Sequence, residues 1–223
     1  MEDKIETFSY LCGIIRRDIS FIIKVSSMSN LSSQTNIRIY DPLHSVIFFK
    51  TKDKWGELSN MASGFPVQVN DVSFRTVEAL YQACRFPYHP DIQQKIIEEY
   101  SPIRAKMISR KYTSFSRADW LLMRVRIMKW CLRLKLFYHF TSFKEILLST
   151  ENKSIVEKSK KDDFWGALEQ EDGSYQGVNA LGRLLMGIRE DLCKTNISYP
   201  LLPSLPRVEN FLLLKQSISC KSI

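Results

Sequence analysis

The chain is poor in the residues that build metal sites, disulfide scaffolds and membrane spans. Its three histidines, His44, His89 and His139, stand at no metal-ligand spacing, and its five cysteines, Cys12, Cys84, Cys131, Cys193 and Cys220, are scattered without a C-x-x-C pair. A zinc site therefore has no support, and no metal or other cofactor is expected. An odd set of dispersed thiols reads as reduced cysteine in a cytoplasmic protein. The early apolar run at residues 21–25 follows Arg16, Arg17 and Asp18 and falls far short of the ~20 residues that cross a bilayer. Neither a secretory signal nor a membrane helix is expected. No self-similarity at a solenoid period is visible.

What the chain does have is enough apolar residue for one ordinary core: 44% of its 223 residues are hydrophobic. Lys and Arg exceed Asp and Glu by 32 to 24, a net charge of +8, which favours phosphate-rich partners without dictating a fold. Residues 26–36 (SSMSNLSSQTN) read as a linker, which sets residues 1–43 apart as an extension. SVIFFK at residues 45–50 is a β-prone run. Residues 67–69 and 72–74 flank Asn70 and Asp71, a pair suited to a tight hairpin.

From Thr76, a potential cap, Val77, Leu80, Tyr81 and Cys84 recur at helical offsets. Ser101 before Pro102 signals another helix start, which puts Lys106 on a short helix. The longest helix is expected over residues 116–140, with Leu121, Val125, Met128, Leu132 and Leu136 as its apolar stripe and Arg126, Lys129 and Arg133 on another face. A last helix starts at Asn179, turns Leu181, Leu184, Leu185 and Ile188 inward and ends near Cys193. Beyond residue 195, three prolines predict an extended tail packed on the domain. The pattern is that of an α+β fold, dominated by helices, with one small antiparallel sheet.

Several polar residues have both a structural and a chemical reading. Glu78 is a helix-start carboxylate, placed where the macrodipole favours it. Asp162, in the run KDDFWG at residues 161–166, suits a turn or a cap. Trp165 offers either a core ring or a face on which a base stacks, at about 1 to 3 kcal/mol, and Gly166 permits close backbone approach. Lys106 is either a solvated amine or, if desolvated, a nucleophile. Asn60 and Asn179 can each donate hydrogen bonds to a polar ligand and accept them from it, although Asn179 also suits an N-cap. With Gly177 it would open a helix whose free amides could meet a pyrophosphate. Arg183 is placed to reach phosphates. Arg126, Lys129 and Arg133 form a face that is either solvated or laid against a DNA backbone.

The blocks WGELSNMASGFP, FRTVEALYQACRF, SPIRAKM, KDDFWG and GVNALGRLLMGIRE occur in that order. Together they resemble the NADAR family, also called YbiA-like, over roughly residues 45–192. The resemblance implies a YbiA-like domain at residues 44–195 and hydrolysis of N-glycosidic bonds, on phosphoribosyl intermediates of riboflavin synthesis or on ADP-ribosylated guanine. Cleaving such a bond passes through an oxocarbenium-like centre, which calls for a nearby carboxylate. By resemblance, Glu78, Asp162 and Lys106 are the catalytic set, while Asn60, Trp165, Gly166, Gly177, Asn179 and Arg183 bind substrate. The wording LSNMASGFP, EALYQACRFP and MKWCLRLKL looks most like NADAR antitoxins. That implies guanine-ADP-ribosylated DNA as substrate, ADP-ribose as product and a DarT-type toxin as functional counterpart. Two alternatives are the riboflavin-pathway N-glycosidase and a non-catalytic module that binds ADP-ribose or the toxin.

Overall fold

The computed structural model describes residues 36–195 and 197–219. The apolar run at 21–25, Cys12, Cys220 and all of the linker except Asn36 lie outside them. The main sheet is mixed and five-stranded, and the order of its strands corrects the expectation of a single small antiparallel sheet. Strands β1 (Arg38–Tyr40), β2 (Ser45–Phe48), β5 (Ser154–Ser159), β6 (Ala167–Glu169) and β7 (Tyr175–Gly177) assemble in the order β1-β7-β6-β5-β2. Pairs β1–β7 and β6–β7 are antiparallel, whereas β2–β5 and β5–β6 are parallel. Parallel neighbours need crossover connections, and β2 meets β5 only after some hundred intervening residues, a pairing that no local pattern announces. Residues 38–43, grouped with the extension in the sequence reading, include the edge strand β1.

The hairpin β3 (Val67–Val69) and β4 (Val72–Phe74) forms as expected, with Asn70 and Asp71 at φ of 48° and 63°. Two successive left-handed residues fit the twist of a two-residue hairpin. Between β4 and β5 run α1 (Val77–Ala83), α2 (Pro90–Glu98), α3 (Pro102–Lys111), α4 (Trp120–Tyr138) and α5 (Phe140–Ser149). Helix α6 (Ala180–Thr195) returns against β5. No helix among the described residues is long and apolar enough to cross a membrane.

The core gathers Phe48, Phe74, Leu80, Ile127, Leu132, Phe143, Ile155 and Leu185. Met128 and Leu132 of the expected α4 stripe are buried, but Leu121 is 69% exposed. The helix begins only at Trp120, which is buried, and none of residues 121–126 is buried, so the expected stripe joins the core only from Met128 onward. The tail makes a short hairpin, β8 (Leu212–Leu213) with β9 (Gln216–Ser217). It adds Phe211, Leu213 and Ile218 to the core. Gln93 of α2 fastens it, donating to the Leu212 carbonyl at 2.9 Å and accepting from the Leu214 amide at 2.7 Å.

Candidate active site

Thr76 accepts a hydrogen bond from the Ala79 amide and fixes the first turn of α1, and Glu78 in that turn points inward. The residue is 2% exposed, and its carboxylate accepts from Asn60 Nδ2 at 2.5 Å and from Gln82 Nε2 at 2.8 Å. The Glu78 amide in turn donates to the Asn60 carbonyl at 2.9 Å. Burial pushes the Glu78 carboxyl above the usual range, while Lys106, Gln82, Arg110 and Asn60 draw it back. The loop that presents Asn60 is held by Lys135, a fully buried amine that donates to the carbonyls of Glu57 and Ser59 and lies over the rings of Phe65 and Phe143. Burial brings the Lys135 amine down to about 7.

A second carboxylate, not singled out in the sequence, comes from β5. Glu157 lines the same cleft as Glu78, and its carboxyl has no hydrogen-bond partner among the described residues. Its backbone is fixed on two sides: the amide donates to Asn179 Oδ1 at 3.1 Å, and a Cβ on Gly166 would stand 2.5 Å from the Glu157 carbonyl oxygen. Burial pushes the Glu157 carboxyl up to about 7; Lys106 opposes the rise, and Glu78 and Asp162 add to it.

The loop of residues 162–166 supplies the opposite wall. Asp162 Oδ1 accepts from the amides of Phe164 at 3.2 Å and Trp165 at 2.9 Å, so this carboxylate sets the position of the indole. Trp165 packs edge-on to Tyr81 at 5.6 Å, and Tyr81 meets Trp120 at 5.0 Å. From the third side, α3, capped by Ser101, brings Lys106. The cleft of about 260 Å³ that results takes in Asn60, Glu78, Lys106, Glu157, Asp162 and Trp165. Lys106 is partly exposed, not sealed away as the desolvated-nucleophile reading expects.

Of the other expected binding residues, Gly177 and Asn179 stand behind this wall. The amides of Val178, Asn179, Ala180 and Leu181 donate to the carbonyls of Asp163, Gly166, Phe164 and Trp165, so the start of α6 offers none of them to a pyrophosphate. Asn179 is fully buried at φ 50°, and besides Glu157 it reaches the Ile155 carbonyl at 2.8 Å. It braces β5 and does not cap α6. A Cβ on Gly177 would lie 2.5 Å from the Gly166 carbonyl oxygen, which makes this glycine a packing requirement. Gly166, Gly177, Asn179 and Arg183 are not among the cleft residues.

Arg126, Lys129 and Arg133 do not reach the cleft either. At 100° per residue they lie roughly across α4 from Arg124 and Met128, which do line it. With Arg207 they border a separate groove of about 440 Å³, and Arg133 pairs with Asp191. Among the described residues, no group of three or more His, Cys, Asp or Glu side chains is arranged to hold a metal ion.

A buried glutamate held by an asparagine, a lysine on a neighbouring helix and a tryptophan aligned by an aspartate thus come together from segments about a hundred residues apart. Residues 47–193 match the family model described as the NADAR domain, and the chain belongs to that family. It is similar to the N-glycosidase YbiA of Escherichia coli, at 31% identity over 145 residues that cover 65% of this chain and 86% of YbiA. An N-glycosidase of Nostoc punctiforme is 33% identical over 150 residues, 66% of this chain and 92% of that one. A riboflavin biosynthesis protein of Vibrio vulnificus is 32% identical over 149 residues, and this chain spans 38% of its length. The NMR structure of E. coli YbiA superposes with a TM-score of 0.59 at 28% identity, covering 72% of this chain and 92% of that structure.

Proposed function

We propose that the chain hydrolyses the N-glycosidic bond between a ribosyl group and a nitrogenous base. The observation that carries this is the convergence of Glu78, Lys106 and Glu157 on one cleft beside the Trp165 ring. The base lies against Trp165. Glu157, which holds its proton to near neutral pH, delivers it to the departing base nitrogen as the bond from C1 of the ribose breaks. Glu78 takes a proton from the Lys106 ammonium, and the freed amine bonds to C1 as the base leaves; the C1–O4 bond then breaks, with the ring oxygen taking a proton from that nitrogen, and a protonated imine is left on the opened ribose. Water then adds to the imine, and the sugar leaves with restoration of the free amine. Asp162 positions Trp165, and Asn60 keeps the Glu78 carboxylate aimed inward.

Two substrates fit this chemistry. ADP-ribosylated guanine in DNA is the reading that the antitoxin-like wording favours, with ADP-ribose released, the base restored and a DarT-type toxin as the functional counterpart. The excess positive charge and the groove of Arg126, Lys129, Arg133 and Arg207 support it. A phosphoribosylated pyrimidine of the kind riboflavin synthesis uses is supported by the cleft's modest volume, slightly below the ~300 to 1,000 Å³ of drug-sized ligand pockets, and by the names of the relatives. Incubation of the purified chain with each substrate, followed by mass measurement of both products, tests the proposal. Cleavage of one of the two is expected, giving ADP-ribose and an unmodified oligonucleotide or a phosphorylated ribose and the free pyrimidine. Intact substrate in both arms overturns it, and binding without release would instead mark a non-catalytic module.

A further inference from the structure

Four cations line the cleft, Arg85, Lys106, Arg110 and Arg124, and two of them are built in an unusual way. Arg124 lays its guanidinium 3.5 Å from the centre of the Phe164 ring. It forms no hydrogen bond or ion pair with any described residue, and its Nε is buried without a partner. Arg85 lies 5.4 Å from the Trp120 ring centre. Its Nε donates to Ser116 Oγ at 2.6 Å and its Nη1 to Ser109 Oγ at 3.4 Å, which leaves Nη2 uncommitted. Neither guanidinium has a carboxylate within ion-pair distance among the described residues, although Asp162 lines the same cleft.

A partly buried guanidinium without a counter-charge is unfavourable by itself. Aromatic stacking and serine hydroxyls fix its plane in advance, so little side-chain freedom remains to be lost when an anion arrives. Trp120 and Arg124 are four residues apart on one face of α4, and Arg85 stacks on Trp120, so the two arginines flank the same aromatic wall. A planar fork is the geometry that grips phosphate oxygens in pairs.

We propose that Arg85 and Arg124 form a phosphate clamp in the cleft, which holds the phosphate ester of a ribose whose C1 faces Lys106 and Glu78. The inference rests on the ribosyl reading of the cleft and assigns the two side chains that select for the phosphate which both substrates carry. The shared chemistry is a phosphate on the ribose 5-oxygen, as a monoester or as one end of a pyrophosphate.

Calorimetry at fixed ionic strength with ribose, ribose 5-phosphate and ADP-ribose tests it without any need for the true substrate. Ribose 5-phosphate is expected to bind at least about tenfold tighter than ribose, which is about 1.4 kcal/mol. R124Q and R85Q should each remove most of that preference and leave ribose affinity unchanged, and R124K should fall between wild type and R124Q. ADP-ribose binding tighter than ribose 5-phosphate would assign the clamp to a pyrophosphate, and equal affinities to a monoester. Equal binding of ribose and ribose 5-phosphate by the wild-type chain, or absence of binding by all three, overturns the clamp, whether or not the variants fold. Retention of the full preference in folded R124Q and R85Q overturns it too. A chain that shows the preference but releases no base in the product assay would sink the glycosidase reading and leave the clamp standing.

Discussion

The carboxyl of Glu157 sits at about 7 because burial disfavours its charge. An acid held above its ordinary 4.5 keeps, in the folded chain, a proton that the unfolded chain surrenders. Its contribution to stability is therefore present at low pH and lost as pH rises from about 4.5 to about 7. E157Q is expected to flatten the pH dependence of unfolding in that window and to remove the alkaline fall in turnover near pH 7. Denaturant titrations and rates across pH 4 to 9 check both, and an unaltered pair of profiles would deny Glu157 its role as acid. Lys106 makes a separate demand. Borohydride added during turnover is expected to leave a stable sugar adduct on Lys106 and none on K106R, because a guanidinium cannot form the imine. A turning-over wild-type sample with no adduct would reassign Lys106 to an electrostatic role.

Among the elements, the join between the 162–166 loop, β5 and the start of α6 holds the site in place. Asn179 lies at its centre, with its amide side chain between Glu157 and Ile155. N179A removes two buried hydrogen bonds and puts alanine at φ 50°, so a loss of about 2 to 4 kcal/mol is expected together with reduced turnover. Unchanged denaturant midpoint and rate would show that the join is dispensable. The elements themselves were largely legible. The Asn-Asp hairpin, the Thr76 and Ser101 starts and the period of α1 are local signals, and local signals survive in sequence. The mixed sheet was not, because β6 and β7 are three residues each and the partner of β2 lies far along the chain. The same limit explains the site. Glu78, Lys106, Asp162 and Trp165 stand in recognisable blocks, whereas Glu157 is one acid in a β-prone run whose facing depends on a partner strand. Asn179 and Gly177 stand in a block too, yet their side-chain space is filled by the loop they support and not by a ligand.

At the scale of the whole molecule, the excess of cations divides between two places. Arg85, Lys106, Arg110 and Arg124 surround the cleft, while Arg126, Lys129, Arg133 and Arg207 border the groove across α4. A small substrate needs only the first set, and an oligonucleotide can engage both. With a modified oligonucleotide as ligand, R126Q combined with K129Q is expected to lower the slope of log affinity against log salt by about 2, one phosphate contact for each charge removed. Hydrolysis of a mononucleotide-sized substrate should not change. An unaltered salt slope would confine recognition to the cleft.

The central claim is that Glu78 in this cleft drives the cleavage of a ribosyl N-glycoside, and the single-turnover rate of base release by E78Q tests it most directly. The amide keeps one acceptor for the two donors, Asn60 and Gln82, that now meet a carboxylate, so a folded variant weakened by about 1 to 3 kcal/mol is expected. Its rate of base release should fall by about 10²- to 10⁴-fold. A folded E78Q chain that releases base at the wild-type rate would contradict the claim.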